Sequence, residues 1–276
     1  MPLVSLPEVC LRIGEMVEDP EVSASDLGYV ISHDAGLTAR LLKVVNSGVY
    51  GPAARVDTVS RAVTLLGLEE LRDLVLASSS VIDSSDGVPN ELLDVSAFWR
   101  HSVYCGVLAE LLARRCGVLH SERLFVAGLL HDIGKLVLCN RMPEAVGRVR
   151  ERVQDRGGSA DAIERELLGF DHAEVGGTLL AQWNMPAALC DAVRCHHHPN
   201  TGAEHGFDAC LIHIADALAG AGEMSLDDEQ SGQAIHPEAW RRCGLSPAVA
   251  EPILRDAGPR FSQTLELILP RAVGPN

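Results

Sequence analysis

Apolar side chains recur at three- and four-residue steps along almost the whole of this 276-residue chain. No run of residues shows the strict alternation that is expected of a half-buried strand. Leu and Ala, which favour helices, are abundant, whereas aromatic residues make up only 4% of the sequence. With 47% hydrophobic residues, the chain can bury one large core or two modest ones. The sequence therefore predicts a globular all-α protein.

Turns rich in Pro, Gly and Ser divide the chain into three predicted parts. Residues 1–85 are predicted to form an N-terminal helical lobe, and the polar stretch at 78–91 is the predicted hinge. Residues 94–220 are predicted to form a helical core, and residues 221–276 a C-terminal helical extension. Two long helices are predicted in the core, the second over 121–140. The other predicted helices are 6–18, 24–33, 35–47, 57–66, 68–80, 144–155, 159–168, 172–183, 186–197 and 207–220.

Charge and cysteine spacing exclude several classes of protein. The formal net charge is −15, and no basic stripe with interleaved aromatic residues offsets it, so we expect no direct binding to nucleic acid. The eight cysteines include no pair with CxxC spacing and lie mostly in apolar helical surroundings, which is typical of reduced core thiols. No segment approaches 18 uninterrupted apolar residues, and the first residues do not resemble a signal peptide. We therefore expect a cytoplasmic protein with no membrane contact.

The stretch "LFVAGLLHDIGKLVL" at 124–138 places charge inside an apolar, helix-like run. His131 and Asp132 are adjacent, and their apolar neighbours indicate a buried turn. An ionised carboxylate buried there without a partner would cost several kcal/mol. Something in the fold must therefore compensate the charge of Asp132.

Other histidines and one acid in the helical core can supply partners, namely His101, His172, His196, His197 and Asp216. Imidazoles and carboxylates that face inward from several helices suit iron, manganese or zinc. Simpler interpretations exist for each residue taken alone. A single buried histidine is more often a hydrogen-bonded core residue, Asp132 can cap a helix or bind an arginine, and Lys135 can lie on a solvated face. The metal hypothesis depends on the whole ordered set.

That ordered set resembles the HD superfamily of metal-dependent phosphohydrolases, and its order and context are most like the HD-GYP subgroup. The matching segments are His101, "LLHDIGKLVL", "DHAEVGGTLL", "CHHH" and "IADALA". The N-terminal segments "DAGLTARLLKVVNSGVYG" and "TVSRAVTLLGLEELRDLVL" resemble the HDOD domain, a relative of those enzymes found in bacterial signalling proteins. The matches cover about residues 4–205. The resemblance implies an HD-GYP-like helical bundle with an N-terminal helical lobe.

The resemblance also implies roles for particular residues. One or two divalent transition-metal ions, with Fe or Mn favoured and Zn as an alternative, would be bound by His101, His131, Asp132, His172, His196, His197 and Asp216. Asp132 would bridge two ions, because a carboxylate can reach both and an imidazole cannot. In an active enzyme, Lys135 would contact phosphate, so Lys135 and Asp132 are the candidate catalytic residues.

Three features are set aside from the candidate site. His198 has no counterpart in the family pattern. His33 and Asp34 repeat the dipeptide early in the chain, but Asp34 is predicted to cap the following helix. Asn46 and Ser47 are predicted to close that helix, because Asn readily takes the conformation of a C-terminal helical turn.

Two hypotheses of different classes remain. The interval between His197 and Asp216 lacks the GYP-bearing loop with which HD-GYP enzymes grip their substrate. Typical HDOD domains lack several ligands and act as regulatory or protein-interaction modules, whereas this chain retains nearly the full set. We favour a bacterial signalling module that retains the metal site and binds a signalling protein or a cyclic nucleotide. The alternative is a metal-dependent phosphohydrolase that acts on a nucleotide or cyclic dinucleotide.

Overall fold

The computed structural model describes residues 21–47, 55–79, 92–199, 205–223 and 234–268, together with a few positions before residue 21. Within these ranges the chain is helical, without a strand, which confirms the predicted all-α class. The helices are α1 (Ala24–Ile31), α2 (Ala35–Val45), α3 (Val59–Ser79), α4 (Val95–Arg115), α5 (Glu122–Leu130), α6 (Ile133–Arg141), α7 (Pro143–Arg156), α8 (Ala160–Leu168), α9 (His172–Gln182), α10 (Ala187–Arg194), α11 (Gly206–Glu223), α12 (Pro237–Arg242) and α13 (Ala250–Ile268), and a 3-10 turn spans Pro247–Val249.

Two sequence predictions fall mostly outside these ranges. The predicted helix at 6–18 and the predicted hinge at 78–91 lie almost entirely outside the described residues. The division into three domains stays a prediction.

No helix in the described ranges is long and apolar enough to cross a bilayer. The cysteines of the same ranges form no disulfide with one another.

The N-terminal helices begin at capping side chains that the sequence marks. At the start of α1, the Asp26 N–H donates to Ser23 Oγ (3.2 Å) and the Ser23 N–H donates to Asp26 Oδ2 (2.9 Å). At the start of α2, the Leu37 N–H donates to Asp34 Oδ1 at 2.7 Å, so Asp34 caps the helix as predicted. Helices α1, α2 and α3 pack against one another.

Asn46 closes α2 as predicted. Its φ of −90° and ψ of 0° place it in the turn that follows Val45. Its side chain forms two hydrogen bonds with the backbone of Val56. The Asn46 amide donates to Val56 O, and the Val56 N–H donates to Asn46 Oδ1, both at 2.8 Å. This pair of bonds holds the segment before α3 against the end of α2.

Helix α4 is the centre of the core and packs against α5, α11 and α13. Two glycines bring α4 and α5 unusually close together. A Cβ on Gly128 would lie 2.7 Å from the Cα of Gly106, so only glycine fits at this crossing. The close approach brings the first half of α4 and the end of α5 to the same part of the interior.

The predicted single helix at 121–140 is wrong, because it breaks at the HD dipeptide. Helix α5 ends at Leu130 and α6 begins at Ile133, and Asp132 between them has a φ of −95° and a ψ of 6°. On a continuous helix, adjacent side chains diverge by about 100°. The break changes the direction of the chain and allows His131 and Asp132 to reach one cluster.

Candidate metal site

Seven side chains from separate elements lie close together in the core. They are His101 on α4, His131 and Asp132 in the break between α5 and α6, His172 at the start of α9, His196 and His197 after the end of α10, and Asp216 on α11. Three groups have ligand atoms that lie within 4.8 Å of one another: Asp132 with His172, His196 and His197; His101 with His131 and Asp132; and His131 with His196 and Asp216. We call these seven residues the histidine–aspartate cluster.

Asp132 lies at the centre of the cluster. Its Oδ1 is 3.2 Å from Nε2 of His172 and 3.8 Å from Nε2 of His196. Its Oδ2 is 3.4 Å from Nε2 of His131 and accepts a hydrogen bond from Lys135 Nζ at 2.6 Å. The two carboxylate oxygens therefore face different sets of imidazoles, as a bridging carboxylate requires.

Asp216 is the second acid of the cluster and lies on its α4 side. Its Oδ1 is 3.0 Å from Nε2 of His101 and 3.5 Å from Nε2 of His131. Nε2 of His197 is 2.7 Å from Nε2 of His172 on the other side. His131 and Asp132 connect the two halves, because each is a member of more than one group.

Hydrogen bonds outside the cluster orient the imidazoles. His131 donates from Nδ1 to Gly128 O, and His196 donates from Nδ1 to Val193 O, both at 2.7 Å. A ring that donates from Nδ1 presents the lone pair of Nε2, and metal-ligating histidines are commonly held in this way. The protein thus presets both rings with Nε2 directed into the cluster.

Three buried polar atoms of the cluster have no hydrogen-bond partner: His131 Nε2, Asp132 Oδ1 and His196 Nε2. Buried polar atoms in native proteins nearly always have a hydrogen-bond partner, so leaving each of these three atoms unpaired costs free energy. In the described ranges only two other buried side-chain atoms lack a partner, Trp99 Nε1 and Ser102 Oγ. Two imidazole nitrogens and a carboxylate oxygen are suitable donors for a divalent cation, so the cluster fits a metal.

The charges of the cluster shift the pKa values of its members. Burial lowers the pKa of His131, but the Asp132 carboxylate outweighs it and raises that pKa well above the ordinary value. Burial raises the pKa of Asp132, whereas the neighbouring cations hold it well below its usual range. Burial lowers the pKa of His172, but the adjacent carboxylates of Asp132 and Glu164 outweigh it and raise that pKa to about 9. Burial lowers the pKa of His196 to about 3. The acids are therefore ionised and strongly attract positive charge.

Lys135 and His198 differ in their relation to the cluster. Lys135 does not lie on a solvated face: its side chain is only 21% exposed and is bound to Asp132. The His198 side chain is 51% exposed and lies 3.5 Å from Asp161 Oδ2, outside the cluster. Helix α10 ends at Arg194, earlier than predicted, so the histidine run lies in the turn that follows.

Sequence reasoning missed two buried residues that support the cluster. Glu164 on α8 is 6% exposed, and its Oε2 accepts from both the backbone N–H (2.8 Å) and Nδ1 (2.7 Å) of His172. His213 on α11 donates from Nδ1 to His196 O at 2.8 Å, and its Nε2 accepts from the His236 N–H at 3.0 Å. The spacing of residues in the sequence does not indicate either residue, because each bonds to a candidate ligand that lies on another element.

Replacing Glu164 tests its role as a positioning residue for His172. We expect Glu164→Ala to weaken metal binding by about 10- to 100-fold, the usual effect of removing such a partner. Glu164→Gln, whose amide oxygen can accept the same bonds, should retain most of the affinity. Competition with a fluorescent chelator measures both constants. Equal affinities for the wild-type protein and Glu164→Ala would contradict this role.

The helical core and the inward-facing cluster of histidines and aspartates define an all-helical protein of the HD type. A family model narrows this class: the HDOD domain model matches residues 3–199. The chain belongs to the HDOD family, which confirms the resemblance seen in the sequence.

Similar proteins fall into more than one functional category. An uncharacterized protein of Treponema pallidum is 30% identical over 197 residues, which are 70% of this chain and 37% of that protein. The MmoQ response regulator of Methylococcus capsulatus is 26% identical, with a TM-score of 0.71 over 91% of this chain and 97% of that one. A phosphohydrolase candidate of Shewanella amazonensis is 27% identical, with a TM-score of 0.55 over 96% and 95%. The chain spans less than two-fifths of the length of the curated relatives it matches.

Proposed function

We propose that this chain is a regulatory HDOD module of bacterial signalling that holds one or two divalent transition-metal ions in the histidine–aspartate cluster. It acts by binding a partner protein or a nucleotide rather than by turnover. The observation that carries the metal proposal is the convergence of three buried, unpaired polar atoms, those of His131, Asp132 and His196. The regulatory role agrees with the response regulator among the similar structures.

The donor set favours iron or manganese over zinc. The three groups of potential ligands contain only imidazoles and carboxylates. Structural zinc sites usually include thiolates, whereas mixed imidazole and carboxylate sets are typical of iron and manganese. The buried Cys105 thiol belongs to none of these groups. Asp132 would hold both ions if two are present, since its oxygens face different imidazoles.

The enclosure of the cluster supports regulation rather than catalysis. His131 and His196 are 0% exposed, and the Asp132 side chain is 3% exposed. Lys135, the residue that would contact a phosphate, is already bound to Asp132 through its ammonium group. The chain also lacks the GYP loop with which related enzymes grip their substrate.

The second candidate function is a metal-dependent phosphohydrolase. It is favoured by the completeness of the cluster and by the position of Lys135, which would need only to release Asp132 to contact a phosphate. When bound, two divalent ions activate water and stabilise charge on a phosphate. The Shewanella amazonensis structure, a phosphohydrolase candidate, agrees with this alternative.

One set of measurements separates the two functions. We expect the protein purified without chelator to retain Fe or Mn by elemental mass spectrometry, and His131→Ala to lose it. His120→Ala, which changes an exposed histidine, is the matched control and should retain the metal. Hydrolysis of bis(4-nitrophenyl) phosphate is then assayed with added Mn(II) or Fe(II). Regulation predicts no turnover above the control without protein. Turnover that His131→Ala abolishes would establish the phosphohydrolase, and a protein that binds no metal would contradict both proposals.

A further inference from the structure

A second concave site lies away from the metal cluster. A cleft of about 610 Å³ is lined by residues of α1, α3, α4, α5 and α13. None of the seven residues of the histidine–aspartate cluster lines it. Its volume falls in the range of pockets that enclose small organic ligands.

The floor of the cleft is apolar and partly aromatic. Val63, Val107 and Phe125 are buried and line it. The His33 ring meets Phe125 edge-on at 5.4 Å between centroids, and Tyr29, which is 48% exposed, meets His33 at 4.7 Å. Such a floor suits the flat face of an aromatic ring.

Two largely buried side chains that line this floor each have one polar atom that is not itself buried and that has no hydrogen-bond partner among the described residues. His33 is 8% exposed and donates from Nδ1 to Tyr29 O at 2.6 Å, which leaves Nε2 as an acceptor. Burial lowers the pKa of His33, so the ring stays neutral. Thr264 on α13 is 5% exposed. In the described part of the chain, neither His33 Nε2 nor the Thr264 hydroxyl has a hydrogen-bond partner. A purely apolar ligand would leave both groups unsatisfied.

The charged residues of the cleft leave one cation for a ligand. Arg114 donates to Glu110 at 2.7 Å, and Glu122 accepts from the Ser60 N–H at 3.1 Å and from its hydroxyl at 2.6 Å. Arg260 on α13 is exposed, and no described residue forms an ion pair with it. The carboxylates are therefore engaged, while the Arg260 guanidinium can bind an anion.

We propose that this cleft binds a purine nucleotide with a single phosphate group. The flat base would lie on the floor formed by Phe125 and its neighbours, and a base N–H would donate to His33 Nε2. The phosphate would bind Arg260, and a sugar or base atom would bind the Thr264 hydroxyl. The site is independent of the metal. It rests on the nucleotide-binding form of the proposed function and gives that function a place in the fold.

Calorimetric titration of the full chain with 5′-AMP and with 3′,5′-cyclic AMP tests the proposal. Saturable binding of either nucleotide supports it, and the tighter of the two identifies the form. Arg260→Ala should weaken binding about tenfold, because a hydrogen bond to a charged group is lost. Thr264→Val preserves shape and should weaken it by a few-fold. Arg255→Ala, on the same helix and outside the cleft, is the control and should bind like the wild-type protein.

Further titrations separate the proposal from simpler outcomes. Adenosine, which lacks the phosphate, should bind about tenfold more weakly than AMP. Inorganic phosphate that binds as well as AMP would overturn the proposal, because the base would then contribute nothing. The proposal would also fail if neither nucleotide bound at millimolar concentration, or if Arg260→Ala and Arg255→Ala behaved alike. Repeating the titration after chelator treatment should leave the affinity unchanged, so failure of the metal proposal would not remove this one.

Discussion

Asp132→Asn is expected to remove bound metal from the protein and to lower its free energy of unfolding by about 3 kcal/mol. The substitution keeps the shape of the side chain and removes its charge. In the native protein the Asp132 oxygens lie 2.6 Å from Lys135 Nζ, 3.2 Å from His172 Nε2 and 3.4 Å from His131 Nε2. Without the carboxylate, the lysine loses the counter-charge to which it is bonded, and the bridging ligand is lost. Elemental analysis and urea unfolding of metal-free protein measure the two effects separately.

Asp191→Asn provides the matched control for this prediction. Asp191 is partly exposed and pairs with Arg194 at 3.2 Å, and such surface pairs contribute less than about 1 kcal/mol. The control should retain both metal and stability. If Asp132→Asn kept its full metal content, Asp132 would not be a ligand and the central role assigned to it would be wrong.

The all-α class could be predicted because helical periodicity is a local property. The capping role of Asp34 could also be predicted, since a capping side chain bonds to a backbone N–H only three residues away. The start of α9 at His172 also agrees with the predicted helix at 172–183. In each case the residues that determine the structure are close together in the chain.

The proximity of the candidate ligands was predicted from a resemblance to a known family and not from local periodicity. His101 and Asp216 are separated by 115 positions, and no periodicity places their side chains 3.0 Å apart. Their order along the chain, compared with a known family pattern, was the only signal. A pattern of this kind names the residues but says nothing about distances or burial.

The features that escaped prediction depend on contacts between distant elements. The break at Asp132 is invisible in "LLHDIGKLVL", because the periodicity continues through it. Glu164 supports His172 from a neighbouring helix, and Asn46 holds Val56 across a ten-residue interval. Each depends on the tertiary structure, which overrides the local pattern.

The packing of α4 and α5 relates the two proposed sites. On α4, His101 belongs to the metal cluster and Val107 lines the cleft. On α5, Phe125 lines the cleft, and the helix ends directly before His131. Because Gly106 and Gly128 bring the two helices into backbone contact, the helices form a closely packed unit between the sites.

Gly134→Ala is expected to lower the free energy of unfolding by about 4 kcal/mol or more, which corresponds to a fall in Tm of about 10 °C. A Cβ at this position would lie 1.9 Å from His172 O and 2.9 Å from the Gly176 backbone nitrogen. Both contacts are with backbone, so no side-chain rotation relieves them. Helix α6 would have to move away from α9, which would separate Asp132 from His172 and weaken metal binding as well.

Gly147→Ala separates this steric effect from the general effect of replacing a helical glycine. A Cβ at Gly147, within α7, would meet only the Leu92 Cδ2 atom, at 4.0 Å. The control should therefore gain about 0.5–1 kcal/mol, because alanine is the better helix former. Thermal unfolding followed by circular dichroism, together with metal content, compares the two variants. If Gly134→Ala were as stable as the wild-type protein and bound metal equally well, α6 and α9 would not be in backbone contact, and the geometry assigned to Asp132 and His172 would have to be abandoned.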